Sequence, residues 1–372
     1  MTQALKSSPH LQGSNNITKT MAYVLLACAP AYAAATWFFG WGLTINIVLC
    51  MGAALASEAL IMRIRQRSIT ESLSDGSALV TALLLAFTIP PGAPWWIPIL
   101  GAMLAITIGK QVYGGIGLNI FNPAMVGYAA LLTAFPLQMT GWQLPNVLTI
   151  DYEWFSPLSW DAFLISINLT FPFLSLTQDI GLDHEIDGFA KATPLLFHKL
   201  AAHSAIAGQW TEQASLFDRS SDVGWEWINL GFLCGGLFLL FKRIITWHIP
   251  VSLIVTVLAL SFYFYQPGSE AVYGSPYLHL FGTATMIGAF FIATDPVSSP
   301  ASPAGKIIYG ILLGIFIYCI RVWGSYLDSI AFSVLLANGI TPLLDYGLRP
   351  RIFGETPRSF WRDKLSRKGE QA

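Results

Sequence analysis

Charge is scarce in this chain. Of its 372 residues only 11% are Asp, Glu, Lys or Arg, against about a quarter in ordinary soluble domains, and a soluble core of this length would interleave far more. Cysteine is scarce too: Cys28, Cys50, Cys234 and Cys319 all fall in apolar runs, without a C-x-x-C spacing. That pattern argues against a disulfide framework and against a self-contained iron–sulfur site. No histidines face one another deep in two apolar runs, so a bis-histidine haem is not expected. His198 and His203 sit in a polar central segment, and His248 and His279 near the ends of apolar runs read as satisfied interface histidines. A nicotinamide-binding glycine fingerprint is missing as well, because "YGGIGLNIFNPA" neither follows a strand nor opens a strand–helix unit. No nucleic-acid partner or metal site is expected.

What the chain has instead is hydrophobic length. Apolar residues make up 54%, and runs such as Met21 to Met62, Ser77 to Ile108 and Ile307 to Leu327 are long enough to cross a bilayer at about 20 residues per helical pass. Ten spans are expected: 21–40, 43–62, 77–91, 95–112, 120–137, 224–241, 248–265, 277–295, 305–323 and 326–345. The third ends in "TIPPGAPWW", whose adjacent prolines stop a helix short of the far surface or turn it back. The small-residue "AYAAA" at Ala31 to Ala35 resembles a signal-cleavage site, but another span and "RIRQR" follow, so cleavage is not expected.

The near-zero net charge conceals an asymmetry. With the N-terminus inside, 16 of the 20 Lys and Arg residues lie in cytoplasmic segments, while the segment from about 137 to 223 carries ten of the 21 acids. The bias of Lys and Arg toward short inner loops places both termini in the cytoplasm and the long loop outside. The expected organisation is a cytoplasmic segment (1–20), a first transmembrane half (21–137), an outer loop (138–223), a second half (224–345) and a basic cytoplasmic tail (346–372). Within the loop, "AFLISINLTFPFLSL" (Ala162 to Leu176) is too short to span and reads as a helix on the surface or on the bundle.

The halves share a pattern. "SALVTALLLAFTIPPGAP" and "GTATMIGAFFIATDPVSSP" are small-residue helices that run into a proline break, each followed by a span and a Gly/aromatic turn. The first would run outward and the second inward, so the fold class expected is all-α integral membrane, ten helices as a 5+5 inverted repeat with a long periplasmic loop. Proline breaks at matching positions point to a site near the bilayer midplane. Ionisable groups inside spans are costly and need partners. Six stand out: Glu58, Lys110, Asp295, Arg321, Asp328 and Asp345. Pairing of Glu58 with Arg63 or Arg65 is expected, and Asp295 is placed to cap the following turn. Asn122-Pro123-Ala124 resembles the half-helices of water channels, but those carry two such triplets in six spans; a helix cap is the expected role.

In "DGFAKATPLLFHK" the Thr193 hydroxyl is available for a phosphoester: Gly188 frees the backbone, Ala190 and Ala192 leave room, and Pro194 biases Thr193 toward an extended conformation. Lys191 is placed to offset a phosphate's charge. The residues alone leave a plain surface turn open.

"SALVTALLLAFTIPPGAPWW", "KQVYGGIGLNIFNPAMVGY", "DGFAKATPL", "GGLFLLFKRIITWHIP", "GAFFIATDPV" and "FSVLLANGITPLLDYGLRPR" together resemble RnfD (also called RsxD), a membrane component of the bacterial Rnf-type ion-translocating oxidoreductases, related to the NqrB component of the sodium-pumping NADH:quinone reductase. The resemblance covers almost the whole chain. It implies a subunit of a bacterial inner-membrane complex that passes electrons between NADH and ferredoxin and couples the flow to transport of sodium ions or protons. It also implies FMN joined to a threonine through a phosphoester by a flavin transferase, outside the cytoplasmic membrane. Asp187, Gly188, Ala192 and Thr193 match the attachment pattern, although many relatives carry Ser where this chain has Ala190. The A, B, C, E and G components of the Rnf complex are the implied partners, with NADH handled by one of them, and membrane lipid surrounds the chain. A second, noncovalently bound flavin such as riboflavin is implied among the helices, and Pro90 and Pro296 mark where to look. The reading from a different class is a redox-inactive transporter or channel.

Overall fold

The computed structural model describes residues 17–142, 158–174, 224–265, 273–324 and 329–348. Every regular element among them is helical. Four helices are long and apolar enough to cross a membrane: Ile17–Phe39, Gly42–Ile64, Pro303–Val322 and Ile330–Gly347. Five shorter apolar helices join them, and the chain is a helical membrane protein.

The first of these is interrupted at Cys28 into α1 (Ile17–Ala27) and α2 (Ala29–Phe39), where Pro30 removes a donor from the turn. Next come α3 (Gly42–Ile64), the short α4 (Ile69–Ser74) and α5 (Ser77–Ala86). As the two prolines require, α5 is only ten residues long. The following α6 (Trp96–Leu104) continues as a π-helix over Ala105–Gln111. Asn122 then caps α7 (Pro123–Ala134), its Oδ1 accepting from the backbone N–H of Ala124 at 3.0 Å and Met125 at 3.3 Å. The expected cap role of the Asn-Pro-Ala triplet is what the structure shows.

After the short α8 (Pro136–Thr140), α9 (Trp160–Thr170) packs on the bundle. Its Phe163 ring meets Trp41 at 5.5 Å, and its Thr170 carbonyl accepts from the Trp95 N–H. The second set of helices is α10 (Trp225–Phe241), α11 (His248–Phe264), the broken pair α12 (Pro276–Phe281) and α13 (Thr285–Ile287), α14 (Pro303–Val322) and α15 (Ile330–Gly347). A π-helix over Gly288–Ile292 extends α13. The two π segments border the same turn. Gly109 of the first lies against Pro123, and the Ile292 carbonyl of the second accepts from Asn122 Nδ2 at 3.2 Å.

Small residues let the helices approach closely, which is how packing is gained where lipid offers no hydrophobic drive. Gly231 and Gly235 of α10 face α1 and α2: a Cβ on Gly231 would sit 2.6 Å from Ala31 Cα, and one on Gly235 would overlap the Ala27 carbonyl. Gly310 and Gly314 of α14 do the same against Ser252 and Thr256 of α11.

Each broken helix leaves backbone groups without a partner, and a buried asparagine from a neighbouring helix supplies one. Asn46 of α3 donates to the Ile89 carbonyl at 3.4 Å and to the Pro90 carbonyl at 2.9 Å, beyond the end of α5, where the Pro90 carbonyl also accepts from the Ala93 N–H at 3.0 Å. Asn229 of α10 donates to the Phe281 carbonyl at 2.8 Å and accepts from the Met286 N–H at 3.3 Å, bridging the gap between α12 and α13. Irregular backbone at membrane depth persists only where such partners exist.

Candidate functional site

The two breaks border two cavities, labelled outer and inner after the expected topology. The outer one, of about 120 Å³, lies between the end of α5 (Phe87 to Pro91) and the α12–α13 gap (Gly282 to Ala284). Its wall includes Phe39, Trp142 and Trp225, whose rings form a cluster: Trp142 and Trp225 are 4.8 Å apart and Phe39 is 5.4 Å from Trp225. Arg321, 3% exposed, closes one side. Its guanidinium donates to Ser329 Oγ at 2.9 Å, the His279 carbonyl at 2.8 Å and Thr285 Oγ1 at 2.9 Å. A planar donor with five N–H groups suits this convergence of three oxygens.

The inner cavity, of about 150 Å³, lies between the start of α5 (Ser77 to Leu84) and the end of the second broken helix (Phe290 to Val297). Lys110, Asn119 and Asn122 complete its polar wall. Lys110 Nζ lies 2.6 Å from Glu58 Oε1 and 2.6 Å from Ser77 Oγ. Ser72 and Gln111 also donate to Glu58 Oε1, at 2.7 Å and 3.1 Å. Glu58 is thus not paired with Arg63 or Arg65 as its spacing along the helix suggested. The π-helix carries Lys110 to it, while Arg65 donates to the Gln111 carbonyl at 2.6 Å. The correction has a physical reason: Glu58 is fully buried and the two arginines are exposed, so pairing with them would require one partner to change environment.

Asp295, at the mouth of the same cavity, accepts from Ser298 Oγ at 2.8 Å and so caps the following turn, as expected. Asp345 accepts from the Ala301 N–H at 2.9 Å. His279 is 2% exposed with its Nε2 2.8 Å from the Tyr273 carbonyl, a core histidine rather than an interface one. No group of His, Cys, Asp and Glu that would hold a metal occurs among the described residues.

Between the cavities three phenyl rings meet edge to face: Phe87 to Phe232 at 5.0 Å and Phe232 to Phe291 at 5.4 Å. The first two line the outer cavity and the third lines the inner. Sequence reasoning located the proline breaks, Lys110, Arg321, Asn122 and Asp295, but missed Asn46, Asn229 and Phe232. The two asparagines had a signal: each is a lone amide in a charge-poor run, "TINIVLC" and "WINLGFL", and a buried amide needs partners. Phe232 had none, being one phenylalanine among many.

Asp187, Gly188, Ala192 and Thr193, the expected attachment residues, lie outside the described residues, as do His198, His203 and Asp328. The described chain nevertheless brackets them. It ends at Leu174, just past the α9 residue bonded to Trp95, and resumes at Gly224, beside the outer-cavity residue Trp225.

Comparison with known proteins adds the rest. The model of the NQR2, RnfD, RnfE family matches residues 4–354. A Yersinia pseudotuberculosis protein is 43% identical over 354 residues, covering 94% of this chain and 98% of its own length. A Vibrio vulnificus protein is 43% identical over 357 residues (94% and 99%), and one from Escherichia coli 42% over 353 (94% and 98%). All three are named as the D component of an ion-translocating oxidoreductase complex. With the match running through both sets of helices and both cavities, the chain belongs to the NQR2, RnfD, RnfE family.

Proposed function

We propose that this chain is a membrane subunit of a redox-driven, ion-translocating oxidoreductase complex, that it carries FMN on Thr193, and that it relays electrons coupled to transport of sodium ions or protons. The reading rests on family membership and on one structural observation. The chain returns from the segment holding Thr193 at Gly224, beside the cavity residue Trp225, where Trp142, Trp225 and Phe39 form an aromatic wall beside Thr88, Asn229 and Arg321. A flat ring system with a polar edge suits such a wall. FMN would supply the electron-accepting chemistry; the protein supplies position, electrostatics and exclusion of water.

The ten-span, 5+5 inverted architecture belongs to the same proposal, with the first half at 21–137, the periplasmic loop at 138–223, the second half at 224–345 and both termini in the cytoplasm. Its support is the way the cavities exchange parts. The outer cavity takes the end of the first broken helix and the start of the second; the inner takes the start of the first and the end of the second. In each half the basic residue near the end of the following helix holds a hydroxyl at the start of the broken one: Lys110 holds Ser77, and Arg321 holds Thr285.

A second, noncovalent flavin is proposed for the inner cavity. The amides of Asn119 and Asn122, the Thr294 hydroxyl, the Asp295 carboxyl and the rings of Phe290 and Phe291 form a donor and stacking set that fits it. The A, B, C, E and G components, a maturing flavin transferase and a location in the bacterial inner membrane complete the reading.

The test is mass spectrometry of the 137–223 segment after coexpression with a flavin transferase, with in-gel flavin fluorescence alongside. An FMN adduct on Thr193, lost in Thr193→Val, is the expected result. An unmodified segment, or an adduct elsewhere, overturns the flavin assignment and favours a redox-inactive transporter.

A further inference from the structure

We propose that the turn joining α10 to α11, together with the first turn of α14, binds the phosphodiester headgroup of an anionic phospholipid. The turn reads Lys242-Arg243-Ile244-Ile245-Thr246-Trp247. Lys242, Arg243, Thr246 and Trp247 are exposed, and Lys306 of α14 reaches the turn, its Nζ donating to Thr246 Oγ1 at 3.5 Å. The ion pair found among the described residues is Lys110 with Glu58. Lys242, Arg243 and Lys306 therefore have no carboxylate within ion-pair range among those residues, and three positive charges border one turn with nothing on the described protein to neutralise them.

Two further features separate this cluster from a merely solvated end of a helix. Arg243 adopts φ 56°, a left-handed conformation that a residue with a Cβ takes up only with strain and that glycine fills freely at this position in a helix cap. The chain places a cation there instead. The exposed Lys242 has its Nζ 5.9 Å from the ring centroids of both Tyr23 and Phe238, which orients it along the bundle.

The identity of the occupant follows from what adjoins the cations. Phe241 is 82% exposed, and Val251, Ile307 and Ile308 present further exposed apolar surface on the same three helices. Trp247, 54% exposed and stacked on His248 at 4.3 Å, marks the level where aromatic side chains settle between acyl chains and headgroups. Cations directly above an apolar flank match a molecule that has a phosphate at one end and hydrocarbon at the other. A free phosphate uses only the upper part of this surface, and an acidic protein segment leaves the hydrocarbon-level flank uncovered. Basic clusters at the membrane surface attract anionic lipid in just this way.

The experiment measures thermal unfolding of the purified full-length chain in neutral detergent, with added phosphatidylglycerol or phosphatidylcholine. Phosphatidylglycerol is expected to raise the midpoint by several degrees more than phosphatidylcholine. Arg243→Gln with Lys306→Gln is expected to lose most of that difference, while Arg63→Gln with Arg67→Gln, which removes the same charge elsewhere on this face, keeps it. Arg243→Gly provides a variant relieved of backbone strain: its midpoint in phosphatidylcholine is expected to match or exceed that of the unaltered chain, with the phosphatidylglycerol difference reduced. The proposal is overturned by an undiminished difference in the Gln pair or in Arg243→Gly, by equal loss in the Arg63 and Arg67 pair, by no lipid preference at all, or by inorganic phosphate reproducing the shift.

Discussion

Lys110 and Glu58, 52 positions apart in sequence, meet at 2.6 Å with both side chains almost completely withdrawn from water. Once two charges are desolvated together, each depends on the other. Removing one partner alone leaves an uncompensated buried charge, at a cost of about 3–5 kcal/mol. Lys110→Met should therefore lower the unfolding midpoint sharply. Lys110→Met with Glu58→Gln should cost less than Lys110→Met alone. A double-mutant cycle in detergent checks this, and additive losses would refute the coupling.

The asparagines that bridge the breaks make a second prediction. Asn229→Leu keeps the volume and removes both bonds to the α12–α13 gap, leaving the Phe281 carbonyl and the Met286 N–H buried without that partner. Each buried polar group left unsatisfied costs about 1–3 kcal/mol. Asn46→Leu at the α5 break should behave alike but more mildly, since it loses donors only. Hydrogen exchange at residues 281–286 and at Thr88, Ile89, Gly92 and Ala93 reads both effects, and unchanged protection in Asn229→Leu would contradict the bridging role.

Phe232 is the ring common to both edge-to-face contacts, so Phe232→Ala removes the partition between the cavities. Truncating a buried phenylalanine costs about 3–5 kcal/mol when the site cannot collapse. Beyond stability, passive ion leak across proteoliposomes carrying the variant should exceed that of the unaltered chain. Equal leak would mean that the surrounding helices close the gap unaided.

Gly235 meets the Ala27 carbonyl with no room for a Cβ. Gly235→Val should prevent α10 from seating against α1, and is expected to abolish monodisperse elution on size exclusion. Gly339, with open space around its Cβ position, is the matched control: Gly339→Ala should elute normally.

At the proposed attachment site, Thr193→Ser retains an acceptor hydroxyl and should still be flavinylated, whereas Thr193→Val should not. Ala190→Ser adds a small hydroxyl residue three positions before Thr193 and should flavinylate at least as fast. In-gel fluorescence over a time course of transferase addition distinguishes these outcomes.

Much of this was legible in the sequence because it depends on strong local signals. Two adjacent prolines stop α5 whatever surrounds them, Asn122 before Pro123 announces a cap, and uncharged runs of 20 residues announce membrane helices. Glu58 shows where legibility ends. Its nearest cations along the helix are Arg63 and Arg65, and a reader of one helix pairs it there. The actual partner is fixed by helix packing and by a π turn that no propensity marks. The cavities were legible only as places where the chain breaks. Their walls draw on helices from both ends of the sequence, and such contacts leave no trace in local pattern.

The π segment at Ala105–Gln111 has one more consequence, which concerns counting rather than contact. A π turn accommodates one residue more than an α turn, and each residue of an α-helix advances the side-chain direction by about 100°. Deleting a single residue here, such as Thr107, would let the helix return to regular winding with everything downstream still in phase, because the wider turn is what absorbs the extra residue. A one-residue insertion in the regular turns of α6 has no such reserve: it advances Lys110 by about 100° away from Glu58 and Ser77, and should do the damage of Lys110→Met with no change of side-chain chemistry.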